Sequence, residues 1–305
     1  EWQSVQKWHT NYFGKLSSFQ FLRLASNNPS AFDTTYELLA DEQSKQTFDW
    51  YVRYRTAHAF IGEEAYEIFA SPITKELWQE METKVKIKSK NIVSINDLDI
   101  EASKDSIVYS FLVEQYSYDN VVKAKEGDVV FDVGAYVGDT ALWFSRLVGH
   151  RGKVYAFEPE PENFKKLRLN SELNRAQNIV PLQLALSDEE GEMIISGGGG
   201  GATVANDANG IPVMVTTVDK FVRDNNITRV DFVKMDVEGH ELNVLKGAAE
   251  TIKTFKPSLA LSAYHRGGDF IKLPRFLLEL NPNYKFYLRH CSCSWIETVL
   301  YAVVT

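Results

Sequence analysis

The feature that most constrains this chain is the segment VVFDVGAYVGDT, which spans residues 129–140. Its apolar start is typical of a buried strand, and the small residues that follow predict a tight loop before an amphipathic helix. A strand that runs through such a loop into a helix is the opening unit of a parallel α/β sheet. Gly134 and Gly138 allow a ligand to approach the backbone closely. The segment therefore predicts a ligand site at the carboxyl end of this strand.

The charge of that ligand is indicated by two acidic residues. Asp132 lies near the end of the strand, where folds that bind a dinucleotide usually have an apolar residue. A carboxylate there suits a positively charged group, such as the amino group of S-adenosylmethionine, better than a pyrophosphate. Glu158 closes the next strand, and an acid in that place can accept hydrogen bonds from both hydroxyls of a ribose. Together the two acids predict a site for a positively charged nucleoside.

A nicotinamide dinucleotide is an alternative ligand for the same loop. Its fingerprint is Gly-x-Gly-x-x-Gly, whereas the loop here is Gly134-Ala135-Tyr136-Val137-Gly138. Tyr136 takes the place of the middle glycine, and its side chain would crowd a pyrophosphate. An NAD-linked oxidoreductase stays open as an alternative function. A non-catalytic protein that binds a nucleotide with the same fold is the other alternative.

Strands and helices alternate from residue 121 onward. The predicted strands are 129–133, 153–157, 179–186, 212–216, 230–235, 259–264, 285–288 and 298–304, and the predicted helices are 140–148, 161–174 and 241–253. This pattern predicts an α/β, Rossmann-like sheet of five parallel strands that ends in an antiparallel C-terminal hairpin. We expect right-handed connections and a ligand at the carboxyl ends of the strands.

A second group of polar residues follows the strand 230–235. Asp236 and Glu238 come directly after it, and His240 and Glu241 open the next helix. Carboxylates and an imidazole at this spacing can bind a cation, orient a hydroxyl group or accept its proton. For His240 and Glu241, the start of a helix is an alternative explanation, because an acid in the first turn suits the helix dipole. Asp236 and Glu238 are therefore the candidates for a catalytic role.

Taken in order, these motifs resemble the FkbM family of S-adenosylmethionine-dependent methyltransferases over roughly residues 105–305. The motifs are Phe131-Asp132-Val133-Gly134-Ala135, Gly138-Asp139-Thr140, Phe157-Glu158-Pro159, Ala185-Leu186-Ser187-Asp188, Thr217-Val218-Asp219 and Lys234-Met235-Asp236-Val237-Glu238-Gly239-His240-Glu241. The resemblance implies the sheet of a class I methyltransferase. It also implies methylation of a hydroxyl on a sugar, a glycan or a natural product.

The resemblance also implies which residues hold S-adenosylmethionine. Asp132, Gly134 and Glu158 would bind its amino acid and ribose parts, and Leu186 and Ser187 would lie near the adenine. Further cofactor contacts are expected at nearby residues, namely Ala135, Tyr136, Gly138, Thr140, Pro159 and Asp236.

The proton of an acceptor hydroxyl needs a destination. His265 follows the strand 259–264 in a glycine-rich loop, and imidazole titrates near neutral pH, so His265 is our predicted general base. A surface histidine without a role is the alternative. Asp236 or Glu238 could serve instead, or could hold a divalent cation that polarises the hydroxyl. The sequence leaves metal dependence undecided.

The chain is predicted to have three parts. Residues 1–90 are rich in aromatic side chains at helical spacings and are expected to form an N-terminal helical domain. Residues 91–120 are expected to connect it to the methyltransferase domain at 121–305, with a strand or hairpin at 92–100. We expect the helical domain to cover the acceptor site or to build a homodimer.

The composition narrows the range of expected binding partners and of the expected cellular compartment. The net charge of −8 argues against nucleic acid, because phosphate binding requires a basic surface. No apolar run approaches the roughly 20 residues of a membrane helix. Cys291 and Cys293 are the two cysteines, and their close spacing suits a mutual disulfide poorly, so a reducing cytoplasm is the expected compartment. Tyr264 and Trp295 are candidates to line an acceptor pocket, and Gly197–Gly201 is predicted to be a flexible loop.

Overall fold

A computed structural model of the chain describes residues 17–196, 203–204, 210–293 and 296–305. Its helices are α1 (17–27), α2 (Pro29–Leu38), α3 (Glu42–Ile61), α4 (Ala65–Ile68), α5 (Lys75–Lys84), α6 (Lys104–Ile107), α7 (Asp139–Val148), α8 (Pro161–Leu173), α9 (Val218–Asp224), α10 (Glu241–Lys246), α11 (Ala249–Phe255) and α12 (Asp269–Leu280), with a 3-10 helix at Gly62–Glu64 and a π-helix at Val108–Leu112. The strands are β1 (Lys86–Ile87), β2 (Ile92–Ile95), β3 (Leu98–Glu101), β4 (Val129–Val133), β5 (Lys153–Phe157), β6 (Ile179–Leu182), β7 (Ala185–Leu186), β8 (Gly191–Ser196), β9 (Thr203–Val204), β10 (Ile211–Thr216), β11 (Phe232–Met235), β12 (Ser258–Ser262), β13 (Tyr284–His290) and β14 (Thr298–Val304).

A seven-stranded sheet with the order β13-β14-β12-β11-β4-β5-β6 forms the centre of the molecule. Neighbouring strands from β12 to β6 run parallel, and β14 is antiparallel to both β12 and β13. The predicted Rossmann-like sheet with an antiparallel C-terminal hairpin is therefore confirmed. Its first strand is β4 at the centre, so the loop after β4 lies where the direction of strand addition reverses, and ligands of such sheets bind at this point.

Apolar side chains cover both faces of the sheet. Consecutive residues of a strand point to opposite faces, and Val130 packs with Phe144 of α7 while Phe131 packs in the second core on the other side. The buried strands therefore follow from near-continuous apolar sequence, as expected for a parallel sheet covered on both faces.

The N-terminal helices pack into this second core. Phe48 and Tyr51 of α3 contact Phe270 of α12, with ring centroids 6.0 and 4.8 Å apart. Phe21 and Phe32 belong to the same group of buried residues. These four aromatic residues are thus buried in the second core, whereas Phe19 and Phe60 are exposed. The division of the chain at residues 90 and 120 stays a prediction.

One predicted strand differs in the structure. The strand predicted at 179–186 is two strands, because β6 ends at Leu182 and β7 leaves the central sheet to pair with β10. The backbone N–H of Leu184 donates to the carbonyl of Leu182 at 3.0 Å, and this tight turn ends the pairing with β5. Pro181 lacks an N–H donor and is tolerated because β6 is an edge strand.

One predicted helix is also divided. The helix predicted at 241–253 consists of α10 and α11, which are separated at Gly247 and Ala248. A Cβ atom on Gly247 would lie 1.9 Å from the carbonyl oxygen of Ser187, so the chain passes closely only with glycine there. Asp219 accepts hydrogen bonds from the backbone N–H groups of Glu250 and Thr251 at 3.0 and 2.8 Å, and so stabilises the start of α11.

The other predicted elements of the α/β region are present, with bounds that differ by at most two residues. Residues 92–101 form an antiparallel hairpin, β2–β3. Cys291 and Cys293 are free thiols. The glycine run 197–201 and Trp295 lie outside the described residues. Among the helices that the structure describes, each is too short or too polar to cross a membrane.

Candidate functional site

The polar residues singled out in the sequence come together at one edge of the sheet. Val133, Phe157 and Met235 are paired across β4, β5 and β11. Gly134, Glu158 and Asp236 follow them directly, so the predicted cofactor residues stand next to each other at the carboxyl ends of the strands.

The loop after β4 is held tightly against the neighbouring strands. The backbone N–H groups of Gly134 and Ala135 both donate to the carbonyl of Phe157 at 3.0 Å. Gly134 has a φ of +77°, and a Cβ atom on it would lie 1.8 Å from the carbonyl oxygen of Asp236. Gly138 has a φ of +87°, and a Cβ there would lie 2.6 Å from a methyl group of Leu167. Both positions therefore require glycine, for conformation and for space.

Glu158 is joined to this loop. Its carboxylate accepts hydrogen bonds from the backbone N–H of Tyr136 at 2.8 Å and from that of Glu160 at 3.0 Å. The side chain amide of Asn163 lies 3.5 Å away. Burial raises the pKa of Glu158 to about 7, against the opposing effect of these donors. Glu158 thus lies at the predicted ribose position and can change charge near neutral pH.

Asp132 lies deeper than the sequence suggested. It is fully buried, accepts a hydrogen bond from Thr140 Oγ1 at 2.7 Å and forms an ion pair with Lys234 Nζ at 3.1 Å. Lys234 also donates to the carbonyl of Gly134. Burial alone would lower the pKa of Lys234, but Asp132, Asp236 and Asp139 raise it above its ordinary value. A charged lysine therefore connects Asp132 to the glycine loop.

The predicted adenine residues lie beside the start of α10. Leu186 and Ser187 are each 5% exposed at the end of β7, and the hydroxyl of Ser187 is 2.8 Å from His240 Nε2. Pro159 is half-buried after β5, and Ala135 is fully buried beneath the glycine loop. The structure thus places Ser187 beside His240, the residue that precedes α10.

A second set of polar side chains, here called the His265 cluster, consists of Asp236, Glu238, Glu241 and His265. The Nδ1 atom of His265 is 2.8 Å from Glu241 Oε1, and its Nε2 atom is 3.4 Å from Asp236 Oδ1 and 3.5 Å from Glu238 Oε2. The side chain of His265 is 3% exposed and that of Glu241 1% exposed. His265 is therefore a buried member of the site, and the surface-histidine alternative is excluded.

Burial and charge shift the pKa values in this cluster. Burial would lower the pKa of His265, but Glu241, Glu238 and Asp236 raise it well above its ordinary value. Burial raises the pKa of Glu238 to about 8, although His265 opposes this shift. Glu241 has a lowered pKa, because the effect of burial is outweighed by His265 and by nearby backbone donors. The carboxylates around His265 therefore favour its protonated form, and burial favours the protonated form of Glu238.

Side chains from two further chain segments also contact the site. The hydroxyl of Tyr116 donates to Asp236 Oδ2 at 2.8 Å. The hydroxyl of Tyr264 donates to Glu297 Oε1 at 3.3 Å, and the side chain amide of Gln115 donates to the other oxygen of Glu297. Burial raises the pKa of Glu297 to about 7, with Asp236 adding to the shift. The segment around residue 116 and the start of β14 thus face the His265 cluster.

Three residues of the site have backbone conformations in the left-handed region. Tyr136, Glu238 and Glu297 have φ values of 50°, 54° and 66°. Such a conformation costs a residue other than glycine on the order of 1–3 kcal/mol and tends to occur at functional sites. At Glu238 and Glu297 it orients a carboxylate towards the cluster.

Sequence reasoning missed Lys234, Tyr116 and Glu297, and it left Glu241 to the helix start. A lysine inside the apolar run of β11 was a usable signal, since a fully buried lysine needs a partner. Tyr116 and Glu297 lie far from the other site residues in the sequence, and no local pattern marks them.

Residues 132–291, just over half of the chain, match the family model described as the methyltransferase FkbM domain. The hexuronic acid methyltransferase AglP of Haloferax volcanii is 28% identical over an alignment that covers 52% of this chain and 64% of that protein. The 31-O-demethyl-FK506 methyltransferase FkbM of Streptomyces tacrolimicus is 29% identical, with 42% of this chain and 62% of the relative covered. The chain thus spans less than two thirds of the length of these relatives.

A solved structure resembles almost the whole chain. The crystal structure of methyltransferase FkbM from Methylobacillus flagellatus KT superposes with a TM-score of 0.64 and is 22% identical in sequence. The match covers 93% of this chain and 60% of that one. The two proteins share a fold. Because the match covers 93% of this chain, the shared fold extends into the N-terminal helices.

Proposed function

Because this chain belongs to the family of methyltransferase FkbM domains, we propose that it transfers a methyl group from S-adenosylmethionine to a hydroxyl oxygen of a sugar, glycan or natural-product acceptor. The observation that carries the proposal is the position of Glu158 beside the glycine loop, with the His265 cluster two strands away. The names of the two relatives, a hexuronic acid methyltransferase and a 31-O-demethyl-FK506 methyltransferase, support this class of acceptor.

The residues at the sheet edge fit this cofactor. Glu158 would accept the ribose hydroxyls, and Leu186 and Ser187 would border the adenine. The approach of Gly134 to the carbonyl of Asp236 leaves the loop free of side chain atoms where the amino acid part would lie. Because Asp132 is already paired with Lys234 and Thr140, we assign it a positioning role: it holds Lys234 against the carbonyl of Gly134.

The cofactor supplies an activated methyl group, so the protein has to align an acceptor oxygen with it and exclude water. Such positioning can contribute up to about 7–11 kcal/mol. The oxygen forms a bond to the methyl carbon as the carbon–sulfur bond breaks, and the hydroxyl proton has to leave. Asp236, Glu238 and His265 lie where it would be released, and we propose that they remove it as a group.

Isothermal titration with S-adenosylhomocysteine and with NAD tests the cofactor. We expect S-adenosylhomocysteine to bind and NAD not to bind, and binding of NAD alone would overturn the proposal in favour of an oxidoreductase. A methyl-transfer screen over hexuronic acids, other sugars, glycolipids and phenols then tests the acceptor. Binding of the cofactor without transfer to any hydroxyl compound would favour a non-catalytic nucleotide-binding protein.

A further inference from the structure

The His265 cluster contains buried polar atoms that lack hydrogen-bond partners among the described residues. These atoms are His265 Nε2, Asp236 Oδ1 and Glu241 Oε2. One ligand atom from each of the three residues lies within 4.8 Å of the other two. Buried polar atoms in folded proteins nearly always have a partner. His265 Nε2 and Asp236 Oδ1, which lie 3.4 Å apart, therefore indicate a ligand that binds between them.

The distances from His265 Nε2 to Asp236 and to Glu238 fit a shared metal ion better than hydrogen bonds. Nε2 of His265 lies 3.4 Å from Asp236 Oδ1 and 3.5 Å from Glu238 Oε2, which is too long for a good hydrogen bond. Two ligands that each lie about 2.1 Å from one ion, at tetrahedral angles, are about 3.4 Å apart. Asp236 Oδ1 and Glu238 Oε2 therefore each lie from His265 Nε2 at the spacing of two ligands that share an ion.

We propose that His265 Nε2, Asp236 and Glu238 bind a divalent first-row metal ion, and that Glu241 positions the imidazole from its other side. Histidine nitrogen and carboxylate oxygen are ligands that such ions accept. With the ion bound, His265 is a ligand and not the general base.

The position of Glu241 supports the orientation of the ring. Its Oε1 atom accepts a hydrogen bond from His265 Nδ1 at 2.8 Å and is within 3.1 and 3.3 Å of the backbone N–H groups of Val237 and Gly239. A carboxylate on one ring nitrogen fixes the tautomer and directs the other nitrogen at a metal, as it does for most histidine ligands.

The charges of the side chains around His265 also support a bound metal ion. Asp236, Glu238, Glu241 and Glu297 surround a single imidazole. Lys234, the buried cation on the neighbouring side, is already paired with Asp132. A divalent ion would allow Asp236 and Glu238 to be charged together beside Glu241, a state that is costly to bury without a compensating cation.

The role of the ion rests on the proposed function, although the site itself does not. An acceptor hydroxyl that coordinates the ion would have a lowered pKa. Its oxygen would then form the bond to the methyl carbon as the carbon–sulfur bond breaks. The hydroxyl proton would go to solvent, and S-adenosylhomocysteine would leave as a neutral thioether.

Titration of the metal-free full chain with Mn²⁺, followed by electron paramagnetic resonance, tests the site without cofactor or acceptor. We expect one ion per chain and a nitrogen coupling from a coordinated imidazole in the electron spin echo modulation. His265→Gln should abolish this coupling. Asp236→Asn should weaken Mn²⁺ binding by at least tenfold, and Glu241→Gln should weaken it about 10- to 100-fold. His150→Gln, at an exposed histidine, is the matched control and should change nothing.

Two results would overturn the inference. One is the absence of Mn²⁺ binding at millimolar concentration. The other is Mn²⁺ binding that shows no nitrogen coupling and that Asp236→Asn does not weaken. Circular dichroism shows that each variant is folded. A chain that binds S-adenosylhomocysteine but no Mn²⁺ contradicts the metal site alone, whereas one that binds Mn²⁺ but not S-adenosylhomocysteine contradicts the proposed function alone.

Discussion

At the carboxyl ends of β4 and β5, Asp132 lies 3.1 Å from Lys234 Nζ and Glu158 accepts backbone hydrogen bonds, whereas at β11 and β12 Asp236 Oδ1 and His265 Nε2 lie 3.4 Å apart without a hydrogen bond. The first region is fixed by backbone donors and a buried lysine. The second is formed by side chains from separate segments, and two of its carboxylates have strained backbones.

This difference corresponds to two kinds of task. A cofactor that is the same in every reaction cycle can be held by a site built largely from backbone, and the pairing there keeps the loop in one conformation. Groups that receive a proton or bind an ion have to keep free coordination positions. We therefore expect damage to the first region to affect stability and cofactor affinity, and damage to the second to affect turnover.

The largest effect is expected at the buried ion pair of the first region. Lys234→Met leaves the carboxylate of Asp132 buried without its partner, which costs about 3–5 kcal/mol of the free energy of unfolding. Urea denaturation measures this loss. Lys165→Met, at an exposed lysine, should leave the unfolding free energy nearly unchanged.

A double variant sharpens this prediction. Replacing both Lys234 and Asp132, as Lys234→Met with Asp132→Asn, removes the unpaired charge and should recover much of the lost stability. If the double variant is as unstable as the sum of the single variants, the two side chains do not act as a pair.

The next largest effect is expected in the second region. His265→Ala should lower turnover by about 100-fold or more, because the cluster that lies where the hydroxyl proton is released loses its imidazole. Affinity for S-adenosylhomocysteine should stay unchanged, since His265 lies outside the cofactor residues. Steady-state kinetics together with calorimetry measures both quantities, and His150→Ala is the control. Unchanged turnover would remove His265 from the mechanism.

The glycine loop gives a prediction with an internal control. Gly134→Ala should weaken binding of S-adenosylhomocysteine by about 30-fold, or about 2 kcal/mol, because the new Cβ would meet the carbonyl of Asp236 at 1.8 Å. Gly127 has a similar φ of +87° but nothing within 4 Å of its Cβ position. Gly127→Ala should therefore introduce backbone strain without a steric clash, and the affinity for S-adenosylhomocysteine should stay unchanged. Equal effects on affinity would mean that the close approach at Gly134 is unimportant.

The first region was more accessible to sequence reasoning than the second. The strand β4, its glycine loop and the acid after β5 are contiguous patterns, and chain direction alone brings the ends of parallel strands together. Asp132 was recognised, but its burial was not, because its partner Lys234 comes from a strand about 100 residues later. The pairing of β4 with β11 decides that contact.

The second region depends on long-range packing. Asp236 and Glu238 follow β11 directly and were found, and His265 was found because it follows β12. Tyr116 and Glu297 come from loops whose paths are set by the packing of the π-helix region and of β14. The division of the predicted strand at 179–186 has a similar cause, since β7 pairs with β10 and not with β5. Local periodicity carries no information on such choices of partner.

The smallest predicted effect concerns pH and again separates the two regions. Under the proposed function, binding of the ribose hydroxyls requires the charged form of Glu158, whose pKa burial raises to about 7. Affinity for S-adenosylhomocysteine should therefore rise as the pH increases through 7 and level off above it. Between pH 6 and pH 8 the expected gain is about tenfold, since one pH unit below the pKa leaves about a tenth of the carboxylate charged. Calorimetry across this range measures it.

Glu158→Gln should bind S-adenosylhomocysteine more weakly at pH 8 and should lose this pH dependence, because an amide does not titrate. Proton release on binding, seen as a dependence of the binding heat on the buffer, should be present near pH 7 in the unaltered chain and absent in the variant. If the variant keeps the same pH dependence, the titrating group belongs to the His265 cluster, and the separation of cofactor affinity from that cluster would fail.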